Sequence, residues 1–146
     1  MIETAGPDDS EGVIALWQAC GLTRPWNDPA ADFDRATAGP SSNVLVLRDP
    51  PSASGTGIAA IAASVMVGHD GHRGWVYYLA VAPERRRQGL GRRMMAAAED
   101  WLRAAGAPKI QLMVRDGNAE AIAFYEALGL ARQPVVTLGR FLTESG

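Results

Sequence analysis

Apolar positions recur at helical spacing in the first forty residues and then change to short continuous or alternating runs, a switch of period from helix to strand. Val13, Leu16, Trp17 and Cys20 share one face, which predicts a helix over about 9–20. Asp8 and Glu11 read as its capping box and Gly21 as its stop. Arg24-Pro25-Trp26-Asn27-Asp28-Pro29 is a turn into a second helix, with Asp28 as N-cap, Pro29 as first helical residue and an end over 36–39. An antiparallel meander of three strands follows at 43–48, 57–67 and 75–81, joined by a loop over 49–55 and a turn over 68–74. The next helix, 89–105, turns Leu90, Met94, Ala97, Ala98, Trp101 and Leu102 inward. A buried strand at 109–114 precedes a helix capped by Asn118, carrying Ile122, Tyr125 and Leu128 and closed by Gly129. Strands are expected at 2–4, 134–138 and 140–142 as well. The order describes an α/β chain, a mixed sheet with helices on its faces.

The length of 146 residues suits one domain spanning 1–146. The longest apolar run, 58–67, contains Ser64 and is too short to cross a bilayer, so no membrane partner is expected. The first twelve residues lack the basic-then-apolar pattern of a signal peptide, which makes a cytoplasmic protein the expectation. Cys20 is the only cysteine, excluding an internal disulfide, and with only His69 and His72 beside it no metal site is expected. The formal charge of −2 is unevenly spread. Residues 1–71 carry three Arg against nine acids, residues 72–115 nine cations against three acids, and residues 116–146 two Arg against four acids. A basic centre between acidic flanks points to an anionic ligand held centrally, and the acidic first part suits a cationic second ligand. The arginines are not interleaved with aromatic residues, which argues against nucleic acid.

The basic centre peaks at Tyr77-Tyr78-Leu79-Ala80-Val81-Ala82-Pro83-Glu84-Arg85-Arg86-Arg87-Gln88-Gly89-Leu90-Gly91. Here a strand ends, a basic glycine-containing loop follows and a helix begins at once. The first amides of a helix lack partners and carry the positive end of its dipole, and glycines let a phosphate approach the backbone. No Gly-Lys pair exists, so this is not a P-loop. Gly89-Leu90-Gly91-Arg92-Arg93-Met94 lacks the third glycine of the dinucleotide fingerprint. Read without a ligand, the same segment is an ordinary helix start with a solvated arginine face.

Arg86-Arg87-Gln88-Gly89-Leu90-Gly91 resembles the R/Q-x-x-G-x-G/A acetyl-CoA motif of the GCN5-related N-acetyltransferases (GNAT). Leu79-Ala80-Val81 with Pro83, and Asn118 with Phe124-Tyr125-Glu126 and Leu128-Gly129, are similar to the flanking family segments. Arg24 to Pro29, Gly71-His72-Arg73-Gly74 and Lys109-Ile110-Gln111 resemble the YpeA-type bacterial subgroup.

The resemblance implies a GNAT fold: a mixed, mostly antiparallel sheet of six to seven strands with about four helices, splayed between the fourth and fifth strands. It implies acetyl-CoA as co-substrate, with the backbone of Leu79 and Val81 on the pantetheine arm. The amides of Arg86, Arg87, Gln88, Gly89, Leu90 and Gly91, continuing into Arg92, would take the pyrophosphate. Asn118 would contact the coenzyme arm, although the residue suits a plain N-cap equally well. Tyr125 matches the general acid that protonates the leaving thiolate, while its spacing from Ile122 also fits a half-buried aromatic on a helix face. The acceptor, a small-molecule or peptide amine, would meet a wall containing Trp26, Asn27, Asp28, Asp32 and Asp34, with Tyr78 nearby. Gln111-Leu112-Met113-Val114-Arg115 departs from the pattern: Met113 occupies the slot where the family's ribosomal-protein acetyltransferases carry a glutamate base. Tyr78, Asp28 and His72 are the remaining base candidates. No Cys or Ser nucleophile stands in a suitable constellation, so direct attack on the thioester in a ternary complex is expected. A non-catalytic acyl-CoA sensor is the alternative. Homodimers are common in the family, but no segment here marks a dimer seam.

Overall fold

The computed structural model describes residues 1–49 and 60–143. Five strands form one sheet in the order β1 (Ile2–Thr4), β2 (Ser42–Arg48), β3 (Ile61–His69), β4 (Gly74–Val81) and β5 (Ile110–Leu112). The first four pair antiparallel, and β5 runs parallel to β4. Four α-helices accompany them: α1 (Ser10–Ala19), α2 (Pro29–Thr37), α3 (Leu90–Ala104) and α4 (Ala119–Ala127). The chain forms two compact units, Met1–Leu112 and Met113–Gly146. Among the described residues, no helix is long and apolar enough to cross a membrane.

In the first unit, alternation along the strands sends successive side chains to opposite faces. Val44 and Val46 join Val13, Leu16 and Trp17 of α1 and Phe33 and Ala36 of α2 in one buried cluster. Leu45 and Leu47 point the other way, toward the face covered by α3. There Leu90, Met94, Met95, Ala98 and Leu102 are buried. Leu102 lies so close to Gly74 that a Cβ on the glycine would meet its Cδ1 at 2.5 Å. The absent side chain at Gly74 is therefore what lets α3 approach β4 where β4 pairs with β5.

Local signals in the sequence were decisive at helix ends. Asp28 caps α2, its Oδ1 accepting from the amides of Ala30 at 3.0 Å and Ala31 at 3.2 Å. Removing such a cap typically costs about 1 kcal/mol. Asp28→Ala is accordingly expected to lower stability by that amount, measurable by urea unfolding; an unchanged midpoint would show that the cap contributes nothing. α1, α3 and α4 each end in a paired 6→1 and 5→2 hydrogen-bond motif built on the expected Gly21, Gly106 and Gly129.

Three expectations need correction. The capping box at α1 does not involve Asp8 and Glu11. Residues 7–9 form a short 3-10 turn, and Asp9 Oδ2 accepts from the Gly6 amide at 2.7 Å. Asp9 is also bridged by Arg48 of β2 at 2.8 and 2.7 Å, and this partner holds its carboxyl below the usual carboxylate range. Second, the loop expected over 49–55 and the strand start at 57 fall outside the described residues except for Asp49. β3 is described from Ile61 and runs two residues past the expected end, to His69. Asp70 then closes the hairpin, its Oδ1 accepting from the amides of His72 at 2.8 Å and Arg73 at 2.7 Å.

Third, five strands stand among the described residues where six to seven were expected. Residues 134–142 form no strand, and Val135, Val136, Leu138, Phe141 and Leu142 are 66–93% exposed. An alternating apolar segment becomes a strand only when its amides and carbonyls find a ladder partner. α4 is the only regular element described in the second unit, so the unit supplies no such ladder itself. β5 is likewise three residues long instead of six.

Candidate coenzyme and acceptor site

β4 carries an irregularity that decides the geometry around it. Ser64 faces Ala80 and Met66 faces Tyr77, so one β3 residue lies opposite two on β4, a bulge at Tyr78-Leu79. Tyr78 adopts φ 52°, a left-handed conformation rare for a bulky residue and worth about 1–3 kcal/mol of strain. Two contacts hold it there. Its ring stacks on Trp17 of α1, with centroids 4.0 Å apart and planes 9° from parallel. Its hydroxyl donates to Asp32 Oδ2 of α2 at 2.7 Å. Trp17 is itself fixed, donating from Nε1 to the buried Ser64 Oγ at 3.2 Å. Burial first, then the bond to Asp32 and its charge, push the Tyr78 hydroxyl well above the usual phenol range. Tyr78 is thus a hydrogen-bond donor over the ordinary pH range, which weighs against its role as base.

Just before the bulge, Tyr77 lines a cleft of about 340 Å³ together with Asp32, Arg35, Met66, Asp70 and Trp75, among others. The Trp75 and Tyr77 rings lie 6.5 Å apart and 18° from parallel. Asp70 accepts at Oδ2 from Trp75 Nε1 at 3.1 Å. Its bonds to the Arg73 and His72 amides hold its carboxyl down at about 2. Of the acids expected on the acceptor wall, only Asp32 lines this cleft; Asp28 is engaged at the α2 amides and Asp34 is exposed. Trp26 is 49% exposed, and Asn27 is exposed beside it. His72 sits exposed in the hairpin turn. The roles of Arg35, Trp75 and Asp70 were not legible in sequence. The one available signal was the Trp75-x-Tyr77 spacing, which puts both rings on one face of a strand.

β4 pairs with β5 only at Gly74↔Ile110, Trp75↔Gln111 and Val76↔Leu112. Leu79 and Val81 extend past the last pair. Beyond Val81, residues 83–85 form a 3-10 turn, Arg86 is extended, Arg87 turns to φ 66° and Gly89 starts α3 at φ 75°. Among the described residues, no side chain caps α3, and no acid stands in its first turn. A Cβ on Gly89 would meet nothing within 4 Å among the described residues. Arg86, Arg87, Gln88, Arg92 and Arg93 are exposed around it, while the Leu90 side chain is buried and offers only its backbone. Arg85 braces the loop, pairing with Asp49 and donating from Nε to Gln88 Oε1 at 2.9 Å. Uncapped amides, a positive dipole end and flanking arginines suit a diphosphate.

In the second unit, Asn118 caps α4, its Oδ1 accepting from the Ala121 amide at 3.1 Å. Tyr125 is half-buried with its ring edge-on to Phe124 at 5.0 Å, and burial raises its hydroxyl above the usual phenol range. Met113 is 51% exposed, with Thr137 Oγ1 donating to its sulfur at 3.6 Å.

A mixed sheet with a bulged fourth strand, a parallel fifth strand that leaves it early and an uncapped helix after a basic loop make an α/β fold with a strand-loop-helix turn suited to an anionic ligand. The profile of the acetyltransferase (GNAT) family matches residues 11–130, and the chain belongs to that family. It is 43% identical to an acetyltransferase of Pectobacterium atrosepticum over 94% of this chain and 92% of that protein. The ribosomal-protein-S18-alanine N-acetyltransferase of Escherichia coli is 26% identical with a TM-score of 0.68, over 88% of this chain and 76% of that one. The aminoglycoside acetyltransferase AAC(6')-Iy, solved with the bisubstrate analogue CoA-S-monomethyl-acetylneamine, shares the fold at 14% identity and a TM-score of 0.77, over 98% of each chain. The protein is an N-acetyltransferase of the GNAT family, in which acetyl-CoA is the acetyl donor.

Proposed function

We propose that the chain works as one domain and moves an acetyl group from acetyl-CoA to a primary amine by direct attack within a ternary complex. The observation that carries this is the uncapped start of α3 behind a loop of exposed arginines, directly after a strand that outruns its neighbour. In this reading the backbone of Leu79 and Val81, beyond the last β5 pair, lies along the pantetheine arm, and the Val81 carbonyl, which accepts from Cys20 Sγ at 3.2 Å, exchanges that weak donor for the coenzyme. The amides from Arg86 to Arg92 hold the pyrophosphate. Asn118 contacts the coenzyme arm in addition to capping α4, and Tyr125 gives its proton to the departing thiolate. The acceptor enters from the α1–α2 side, with Trp26, Asn27 and Tyr78 along its path. The family profile spans residues on both sides of position 112, which supports a single functional domain.

Melting temperature with acetyl-CoA, CoA or ATP tests the cradle. A ligand at a hundredfold excess over its Kd stabilises the folded state by about 2.7 kcal/mol. For a chain of this size that is a rise of roughly 5–10 °C. A rise with both coenzyme forms and none with ATP is expected; no rise with either would remove the cradle and the catalytic reading with it. Met113, apolar where related enzymes carry a glutamate, favours a second reading as an acyl-CoA sensor. Amine-dependent release of CoA thiol separates the two.

A further inference from the structure

We propose that Asp32 is the proton acceptor of the reaction and the anchor of an acceptor that arrives as an alkylammonium ion. The proposal rests on the acetyl-transfer reading above. An alkylamine of pKa about 10 is protonated at neutral pH and must lose a proton before its nitrogen can attack a carbonyl. The other groups near the cleft are already committed. Asp28 serves two amides of α2, and Tyr78 gives its own proton to Asp32. Asp70 accepts from two amides and an indole.

Asp32 accepts two hydrogen bonds against the three that tie Asp70 into its turn, and unlike Asp28 it lines the cleft. Its side chain is 21% exposed and lines the cleft. Oδ1 is paired with Arg35 and Oδ2 accepts from Tyr78, one partner each, whereas a carboxylate oxygen has two acceptor sites. A further donor therefore fits without displacing either partner. Tyr78 and Arg35 are positioning residues: the bulge and the Trp17 stack fix the Tyr78 hydroxyl, and the hydroxyl fixes the carboxylate. Among the described residues, the charged and titratable groups lining the cleft are Asp32 and Arg35 from α2, His69 and Asp70 from the hairpin, and Tyr77 from β4, with the Tyr78 hydroxyl bonded to Asp32 behind them. The rings of Trp75 and Tyr77 and the side chain of Met66 offer an apolar path for the alkyl stem and cation-attracting faces for its head.

The atoms balance as follows. One N–H proton of the ammonium passes to the Asp32 carboxylate and from there to solvent. The freed lone pair forms the C–N bond with the acetyl carbonyl carbon as the C–S bond breaks. Tyr125 protonates the thiolate, the second proton lost by the nitrogen restores the Tyr125 hydroxyl, and one proton is released per turnover.

Asp32→Asn preserves size and can still accept from Tyr78. The test measures thiol release between pH 7 and pH 10 with two acceptors, n-butylamine and trifluoroethylamine, the latter uncharged at pH 7. The variant is expected to lose about a hundredfold in kcat/KM for n-butylamine at pH 7. The deficit should shrink as the pH approaches the pKa of the amine, trifluoroethylamine should react nearly as with the parent protein, and acetyl-CoA affinity should not change. An equal loss with both amines, or none with n-butylamine, overturns the proposal. Tyr78→Phe, which keeps the stack on Trp17, should show the same amine discrimination in weaker form. If the parent protein is stabilised by acetyl-CoA but acetylates no amine, the transfer reading itself fails. Calorimetric titration of n-butylammonium into the CoA complex then decides the anchor. Binding that Asp32→Asn abolishes supports it, and absence of binding overturns it.

Discussion

Tyr125→Phe is expected to lower kcat by about 10²- to 10³-fold while leaving the affinity for acetyl-CoA unchanged. A thiolate departing from a thioester gains most from a proton donor present only as the C–S bond breaks, so the loss should fall on kcat and not on binding. Burial of Tyr125 raises its pKa, which keeps the hydroxyl protonated throughout the neutral range. The acid form is thus available without a protonating partner, and titration of Tyr125 should cause no fall in rate until well into the alkaline range. The substitution is also mild structurally. α4 is capped by Asn118 and closed by the amides of Gly129 and Leu130 on the carbonyls of Glu126 and Tyr125, none of which uses the phenol oxygen. Steady-state thiol release with equilibrium coenzyme binding checks the prediction. A kcat within threefold of the parent value would remove Tyr125 as the acid.

Trp17→Ala should be the most damaging single change to stability, by about 3–5 kcal/mol, or roughly 10 °C in Tm for a chain of this length. Trp17 has no exposed surface, belongs to the cluster joining α1 and α2 to β2 and β4, and donates to a Ser64 that is fully buried. Its loss opens a cavity and strips Ser64 of that donor. It also removes the plane against which Tyr78 stacks at its left-handed bulge position. Activity should therefore fall further than the unfolded fraction explains. Trp17→Phe, which retains an aromatic face but not the indole N–H, is expected to lose clearly less. Calorimetric melting of both variants decides the matter. A Trp17→Ala loss below about 1 kcal/mol would mean that the stack does not hold the bulge.

The order of the elements was legible because its signals are local. Asp28-Pro29, Asn118 and the glycines at 21, 106 and 129 each act within a few residues, through amides that need a cap or a carbonyl that needs a turn. The basic loop into α3 was legible for the same reason, since an uncapped helix start and its arginines occupy one continuous segment. Family membership followed from these pieces taken in sequence order.

The cleft beside Asp32 was not legible, because its geometry is made by partners far apart in the chain. The Tyr78 hydroxyl meets a carboxylate 46 residues away, and nothing local distinguishes Asp32 from Asp28 or Asp34. α2 makes the distinction by spending one acid on its own amides, turning a second to solvent and placing the third at the cleft. The bulge at Tyr78-Leu79 arises from register between β3 and β4, a quantity that residue pattern leaves open. The apolar alternation at 134–142 shows the same limit from the other side. The sequence by itself determined which segments suit a helix, a strand or an anion-binding turn. Only the tertiary structure decided which strands find ladder partners and which carboxylate faces the cleft, because both depend on the neighbour that folding supplies.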